Sequence, residues 1–224
     1  MLNPVHVVGT GRAGGAIAAR LREVGLSVTA ARDAPADADL VLLAVPDEAI
    51  ADVAGRISIG PWVAHVSGAT SLTALDPHER RFSVHPLQTL TAERGPEQLD
   101  GAWAAVTAET EEAAAVGYWL AETLGLRPFP LAAADKPLYH AGAAMASNFL
   151  VTLYRAAARL LEETDAPPEA LVPLMTRTIE NGFALTGPIA RGDWSTVEAH
   201  LDALTERAPD LVPLYRALAE ATRR

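Results

Sequence analysis

The sequence predicts an α/β domain built on a parallel sheet, followed by an all-α C-terminal domain. Over roughly the first 130 residues, short β-branched runs alternate with helical patterns, the order that produces parallel strands joined by crossover helices. From Asp135 onward only helical periodicity remains. A chain of 224 residues, half of them hydrophobic, is also long enough to bury two modest cores. We therefore divide it into residues 1–130 and 131–224, at the stretch RPFPLAAAD.

Taken in order, Val5 to Gly9 reads as the first strand, followed by a helix that closes at Gly25, and Leu26 to Ala30 as the second. The unbroken apolar run Leu40 to Val45 suits a strand covered on both faces. A helix over Asp47 to Arg56 and a strand opening at Trp62 continue the alternation. RFSVHPL and Ala102 to Ala108 are further strands, and Glu111 to Leu124 is a helix closed by Gly125. Beyond the boundary, Asp135 can cap a helix whose first turn tolerates Pro137, and the apolar pattern then runs to Glu163 without a break. Helices follow at about 167–182, 195–207 and 209–223, with capping-box spacing at Ser195 and Glu198 and a stop at Asn181-Gly182.

A formal charge of −10 without any basic cluster argues against nucleic acid and anionic membrane as partners. The absence of cysteine removes disulfides, thiol nucleophiles and thiolate metal sites. No two histidines have metal-ligand spacing, so no metal site is expected. The start MLNPVHVVG lacks a basic leader and runs directly into a strand, which gives a cytoplasmic expectation. The uncharged run Pro137 to Tyr154 carries His140, Ser147, Asn148 and Thr152, and reads as a core helix rather than a membrane span.

Gly9, Thr10, Gly11, Arg12, Ala13 and Gly14 match GxGxxG between a strand and a helix, with a second strand following. Backbone N–H groups and a helix N-terminus can hold a pyrophosphate in that context, which makes the first domain an α/β Rossmann-type parallel sheet domain. An ordinary tight turn with glycines used for packing is the plainer alternative. At the end of the second strand, Arg32 is placed to pair with a 2′-phosphate and favours NADP, whereas the adjacent Asp33 keeps NAD open.

The order GTGRAG, ADLVLLAVPD, HVSGA, SVHPLQT, YHAGAAMASNFLVTL and LTGPIARGD resembles a family of Rossmann-like proteins with a helical C-terminal domain of uncharacterised function. Kin of that family include 6-phosphogluconate dehydrogenase, pyrroline-5-carboxylate reductase, prephenate dehydrogenase and ketopantoate reductase. The resemblance covers nearly the whole chain and implies a nicotinamide-dependent oxidoreductase, reacting in a cleft between domains and often dimeric through the helical parts. It implies that Val45, Pro46 and Asp47 pass near the adenine-side ribose and nicotinamide, and that Ser67, Gly68 and Ala69 lie beside nicotinamide and substrate. His85-Pro86 resembles the His-Pro of prephenate dehydrogenases, although Leu87-Gln88-Thr89 replace the glycines that usually follow. In hydroxyacid-dehydrogenase relatives a lysine precedes an asparagine by four residues; four before Asn148 stands Ala144, so that mechanism does not transfer unchanged.

On an unbroken helix at 100° per residue, Lys136, His140 and Ser147 form one stripe with Asn148 on its flank. Lys136 is the only lysine of the chain. Hydride transfer to a carbonyl or imine calls for a proton donor, and a histidine suits it. The expected roles are His140 as general acid/base, Asn148 and Ser147 for the substrate's polar groups, and Lys136 for attraction of a carboxylate or phosphate. Small residues around the stripe equally suit close helix packing. His85 is a candidate substrate contact or a hydrogen-bonded strand stop; His6, His65, His78 and His200 are assigned to structure or surface. The segment Leu185 to Asp193, too rich in glycine and proline for helix, offers Thr186 and Arg191 as anion contacts, or forms a rigid turn in which Arg191 pairs with Asp193. The leading expectation is an NADP-dependent oxidoreductase, a homodimer, transferring hydride between NADPH and a small, anionic keto or imino acid such as a 2-dehydropantoate-like 2-oxo acid. A non-catalytic NAD(P)-binding sensor or assembly module is the alternative, and a deazaflavin hydride partner a third.

Overall fold

The computed structural model describes residues 2–31 and 37–223. In chain order the first part contains β1 (Val5–Val8), α1 (Arg12–Glu23), β2 (Val28–Ala31), β3 (Leu40–Leu43), α2 (Ile50–Ala54), β4 (Trp62–His65), β5 (Arg81–Pro86), β6 (Trp103–Ala108), α3 (Glu111–Thr123), β7 (Arg127–Pro130) and α4 (Lys136–Ala146). The strands form one seven-stranded sheet in the order β2-β1-β3-β4-β5-β6-β7. β1 to β5 are mutually parallel, β6 runs antiparallel to β5, and β7 is parallel to β6.

Every residue of β1, β3 and β4 is buried, as the continuous apolar runs require. Their alternate side chains feed two cores. Val5, Val7, Leu40, Leu42 and Trp62 pack with Ile17 and Leu21 of α1 and Leu120 of α3 on one face. Val8, Val41, Leu43 and Val63 pack with Ile50 of α2 and with Leu72 and Leu75 of a 3₁₀ turn on the other. At about 1.5–3 kcal/mol per fully buried large aliphatic side chain, these two layers are the main stabilising term of the domain.

The sheet is parallel as expected except where β6 pairs with β5. The 87–102 connection contains only a 3₁₀ turn, Pro96–Leu99, so the chain returns antiparallel without a crossover helix. β7 escapes the sequence reading because two of its four residues are proline; on an edge strand the missing N–H groups cost little. The expected helix over Asp47 to Arg56 is a 3₁₀ turn, Asp47–Ala49, leading into the shorter α2.

The long helix expected from Lys136 to Glu163 is two. α4 ends at Ala146, Ser147 leaves helical geometry with φ −120° and ψ −74°, and α5 (Asn148–Glu162) begins after it. A stripe extrapolated at 100° per residue from Lys136 to Ser147 and Asn148 therefore does not exist. Neither proline nor glycine stands at the break, and we have no physical account of it.

The chain divides into two compact units, Met1–Ala144 and Met145–Arg224. The last strand ends at Pro130. The second unit comprises α5 with α6 (Leu171–Glu180), α7 (Pro188–Arg191), α8 (Trp194–Arg207) and α9 (Val212–Arg223). The Arg159 guanidinium pairs with both carboxylate oxygens of Asp210 at 2.7 and 2.8 Å, and His200 Nδ1 lies 2.8 Å from the Tyr215 hydroxyl. α7 corrects the non-helical reading of the 185–193 loop: proline has no N–H to lose in the first turn, and Gly192, at φ +70°, ends the helix. α8 is capped by Asp193, which accepts from the Thr196 N–H, rather than by the Ser195–Glu198 box.

Candidate functional site

The carboxyl ends of β1 to β5 lie along one edge of the sheet. Because β2 and β3 flank β1 on opposite sides, the strand order reverses at β1, and open α/β sheets receive ligands at such a point. Here the glycine turn has two different jobs. Gly9 adopts φ +111°, and a side chain on it would collide with the Ala44 carbonyl; one on Gly14 would collide with the Gly9 carbonyl. Close packing demands glycine at both positions, and the positive φ demands it again at Gly9. At Gly11, by contrast, a Cβ would meet nothing within 4 Å. Open space above a backbone that leads into α1, whose first turn holds no acidic residue, is what a pyrophosphate needs. A cavity of about 370 Å³ adjoins this turn, walled by Val8, Gly9 and Thr10, by Ala31 at the end of β2, by Val45, and by Val53 and Arg56. Arg12, Ala13 and Pro46 border the same two turns in sequence. Arg32 and Asp33, on which the choice between NADP and NAD was to rest, lie outside the described residues.

Two strands further along the edge is a polar cluster. The Ser67 hydroxyl, just past β4, donates to Asp47 Oδ2 at 2.8 Å and accepts the Thr70 N–H at 3.0 Å, tying the turn after β3 to the turn after β4. Lys136, at the first position of α4, is 1% exposed. Its ammonium donates to the Ser67 carbonyl at 3.1 Å and to Ser83 Oγ at 3.0 Å. Burial lowers its pKa to about 8, against the opposing pull of Asp47. An ammonium so placed cannot touch an incoming anion directly; it fixes the Ser67-Gly68 turn.

Three and four positions after Lys136, about one helical turn on, come Tyr139 and His140. The Tyr139 hydroxyl lies 2.7 Å from His85 Nδ1, and the His85 and His140 rings meet edge to face at 5.9 Å. Gly68 fits beneath them: a Cβ there would lie 2.8 Å from His140 Cδ2 and 2.8 Å from His85 Cε1. Burial, together with the charges of His140 and Lys136, lowers the His85 pKa to about 4, so this ring is neutral near pH 7. Burial raises Tyr139 to about 12. In the tautomer in which the phenol donates to Nδ1, the neutral His85 carries its own proton on Nε2, on the side of Gly68. His65 lies deeper, 0% exposed; its Nδ1 accepts the Ser67 N–H at 3.2 Å, and burial, then Lys136, lowers its pKa to about 4.

The structure thus brings Ser67, Gly68, His85, Lys136 and His140 together. Ser147, Asn148, Thr186 and Arg191 belong to the second unit, where Arg191 donates to the Thr186 carbonyl and its charge also acts on Asp193. Tyr139, Ser83 and Arg56 were not singled out from the sequence. Two spacings carry a signal for the first two: Ser83 and His85 stand i, i+2 on one strand, and Lys136, Tyr139 and His140 stand i, i+3, i+4 on one helix. His6 and His78 are structural, bonded to Thr29 Oγ1 at 2.6 Å and to the Ala54 carbonyl at 3.0 Å. Among the described residues no three His, Asp or Glu side chains group as metal ligands. No helix among those residues is long and apolar enough to cross a membrane.

Strand order, glycine turn and edge geometry together define the Rossmann-like fold of NAD(P)-dependent oxidoreductases. The chain belongs to the DUF2520 family, described as a domain of unknown function, which matches residues 102–222, just over half of its length. Solved structures with the same fold include a presumed NADP oxidoreductase from Bacteroides fragilis, 20% identical, with a TM-score of 0.81 over 99% of this chain and 98% of that one. A Thermotoga maritima protein is 26% identical, with a TM-score of 0.74 over 99% of this chain and all of the other. Pyrroline carboxylate reductase of Plasmodium falciparum, solved with NADP bound, is 10% identical, with a TM-score of 0.61 over 99% of this chain and 98% of that one. No curated protein matches the sequence.

Proposed function

We propose that the protein is an NADP-dependent oxidoreductase that moves hydride between NADPH and a small anionic keto or imino acid at the carboxyl ends of β4 and β5. The observation that carries this reading is the half-buried His140 ring, set with His85 against Gly68 on the edge of the sheet that also bears the open Gly11 turn. The residues fit the nucleotide: a cradle without side chains, an unneutralised helix N-terminus and a cavity at the strand-order reversal. NADPH, when bound, supplies the hydride.

The chain supplies the proton and the geometry. Reduction of a carbonyl develops negative charge on oxygen, and reduction of an imine leaves a basic nitrogen; His140 delivers the proton to that atom. Neutral His85 offers its Nε2–H beside it, and Tyr139 holds the His85 ring in place. Lys136 acts through Ser67 and Ser83 as a positioning residue. The geometry of the first unit needs neither Ser147 nor Asn148 for these steps.

The test is NADPH oxidation, followed by its absorbance, across a panel of small keto acids and imines. His140→Ala should lower kcat by about 10²- to 10⁴-fold while leaving the Kd for NADPH unchanged. Tight NADPH binding without turnover of any substrate would instead favour a sensor, and full turnover by His140→Ala would remove the assigned acid.

A further inference from the structure

Among the described residues that line the cavity beside the glycine turn, one carries a formal charge, and its position is informative. Its walls are apolar at Val8, Ala31, Val45 and Val53; Thr10 adds a hydroxyl, and Arg56, just past α2, adds a guanidinium. Arg56 is exposed, and its side chain has no hydrogen bond or ion pair among the described residues. Three other arginines of this unit are engaged: Arg20 with Asp100, Arg81 with Glu109 and Asp76, and Arg80 over the Trp62 ring. Among the described residues the Arg56 guanidinium is therefore left free in the cavity wall to meet an anion, in a chain of net charge −10. It cannot serve the pyrophosphate, which the Gly11 turn and the α1 N-terminus provide for. It stands instead in the wall shared with Ala31, the end of β2, where this topology reads the ribose hydroxyls of the adenosine.

We infer that Arg56 binds the 2′-phosphate of the adenosine ribose and so makes the site selective for NADP over NAD. A planar guanidinium offers a phosphate two parallel N–H donors, a geometry that a lone hydroxyl does not reward. This deepens the dinucleotide reading of the cavity and rests on it.

The experiment is calorimetric titration of the full-length protein with 2′,5′-ADP and with 5′-AMP, for wild type, Arg56→Ala and Arg56→Lys. The wild type should prefer 2′,5′-ADP. Arg56→Ala should weaken 2′,5′-ADP by about 10- to 100-fold and leave 5′-AMP unchanged, the scale of a charged hydrogen bond. Arg56→Lys should fall between, since it keeps the charge and loses the fork. Equal losses for both nucleotides would overturn the inference in favour of stacking on adenine, and no loss for either would overturn it outright; in both cases the dinucleotide reading survives. A folded wild type that binds neither nucleotide would overturn the reading and the inference together.

Discussion

At Gly68 the absence of a single carbon decides where two imidazoles stand. Both rings lie 2.8 Å from where a Cβ would stand, too close to admit one, so the turn after β4 acts as the floor on which His85 and His140 meet. The same corner holds a group of neutral bases, and that has a pH signature. His65 and His85 titrate at about 4 in the folded chain against 6.5 in the unfolded one, mainly because burial disfavours their charged forms. Between pH 6.5 and 4 the unfolded chain therefore binds more protons, and stability falls as pH drops through that window. His65→Gln removes one contributor. The stability gap between wild type and variant, measured by urea unfolding, should shift against wild type as pH falls from 6.5 to 4; a gap independent of pH would mean that His65 titrates normally. Lys136 works in the opposite range: with its pKa lowered to about 8, its burial costs stability below that value and the cost fades as pH rises toward 10.5.

Among elements, those that read correctly from sequence are the ones whose environment imposes a pattern on them. β1, β3 and β4 are buried on both faces, and that condition writes itself as VHVV, LVLL and WVAH. β7 carries no such pattern because an edge strand tolerates its two prolines, and the interruption at Ser147 has no local marker at all. The glycine turn was legible because its conformation depends on residue type; the convergence of Gly68, His85 and Tyr139 was not, since contacts between residues 17 and 54 positions apart are made by the sheet and not by any local motif. The turn also yields a contrast between two of its glycines. Gly14→Ala drives a methyl into the Gly9 carbonyl and should lower Tm, with about 1–3 kcal/mol lost to overpacking. Gly11→Ala enters open space and should leave Tm unchanged while weakening NADPH binding. Loss of Tm in both variants would reduce the motif to a packing turn.

For the molecule as a whole, the second unit presents apolar side chains that its own helices do not cover. Phe149 and Val151 of α5, Val172, Leu174 and Ile179 of α6, and Phe183 and Leu185 beyond it are all about half exposed or more. No residue of α5 or α9 is buried. Surface of this kind suits self-association, and we propose a homodimer formed through this unit. Sedimentation equilibrium should return a dimer for wild type and a lighter species for a Phe149→Glu, Phe183→Glu double variant; a wild-type monomer would contradict it.

In the proposed reaction one edge of the sheet holds both the nicotinamide cofactor and the imidazole that serves it. A crystal soaked with NADPH measures this directly. The diphosphate should lie over Gly11, the adenosine in the cavity beside Val45 and Val53, and the reactive ring carbon should face His140 at a spacing that leaves room for a substrate carbonyl between them, about 3–3.5 Å from each. A nicotinamide ring turned away from His140 and His85, or a diphosphate bound anywhere other than the glycine turn, would contradict it.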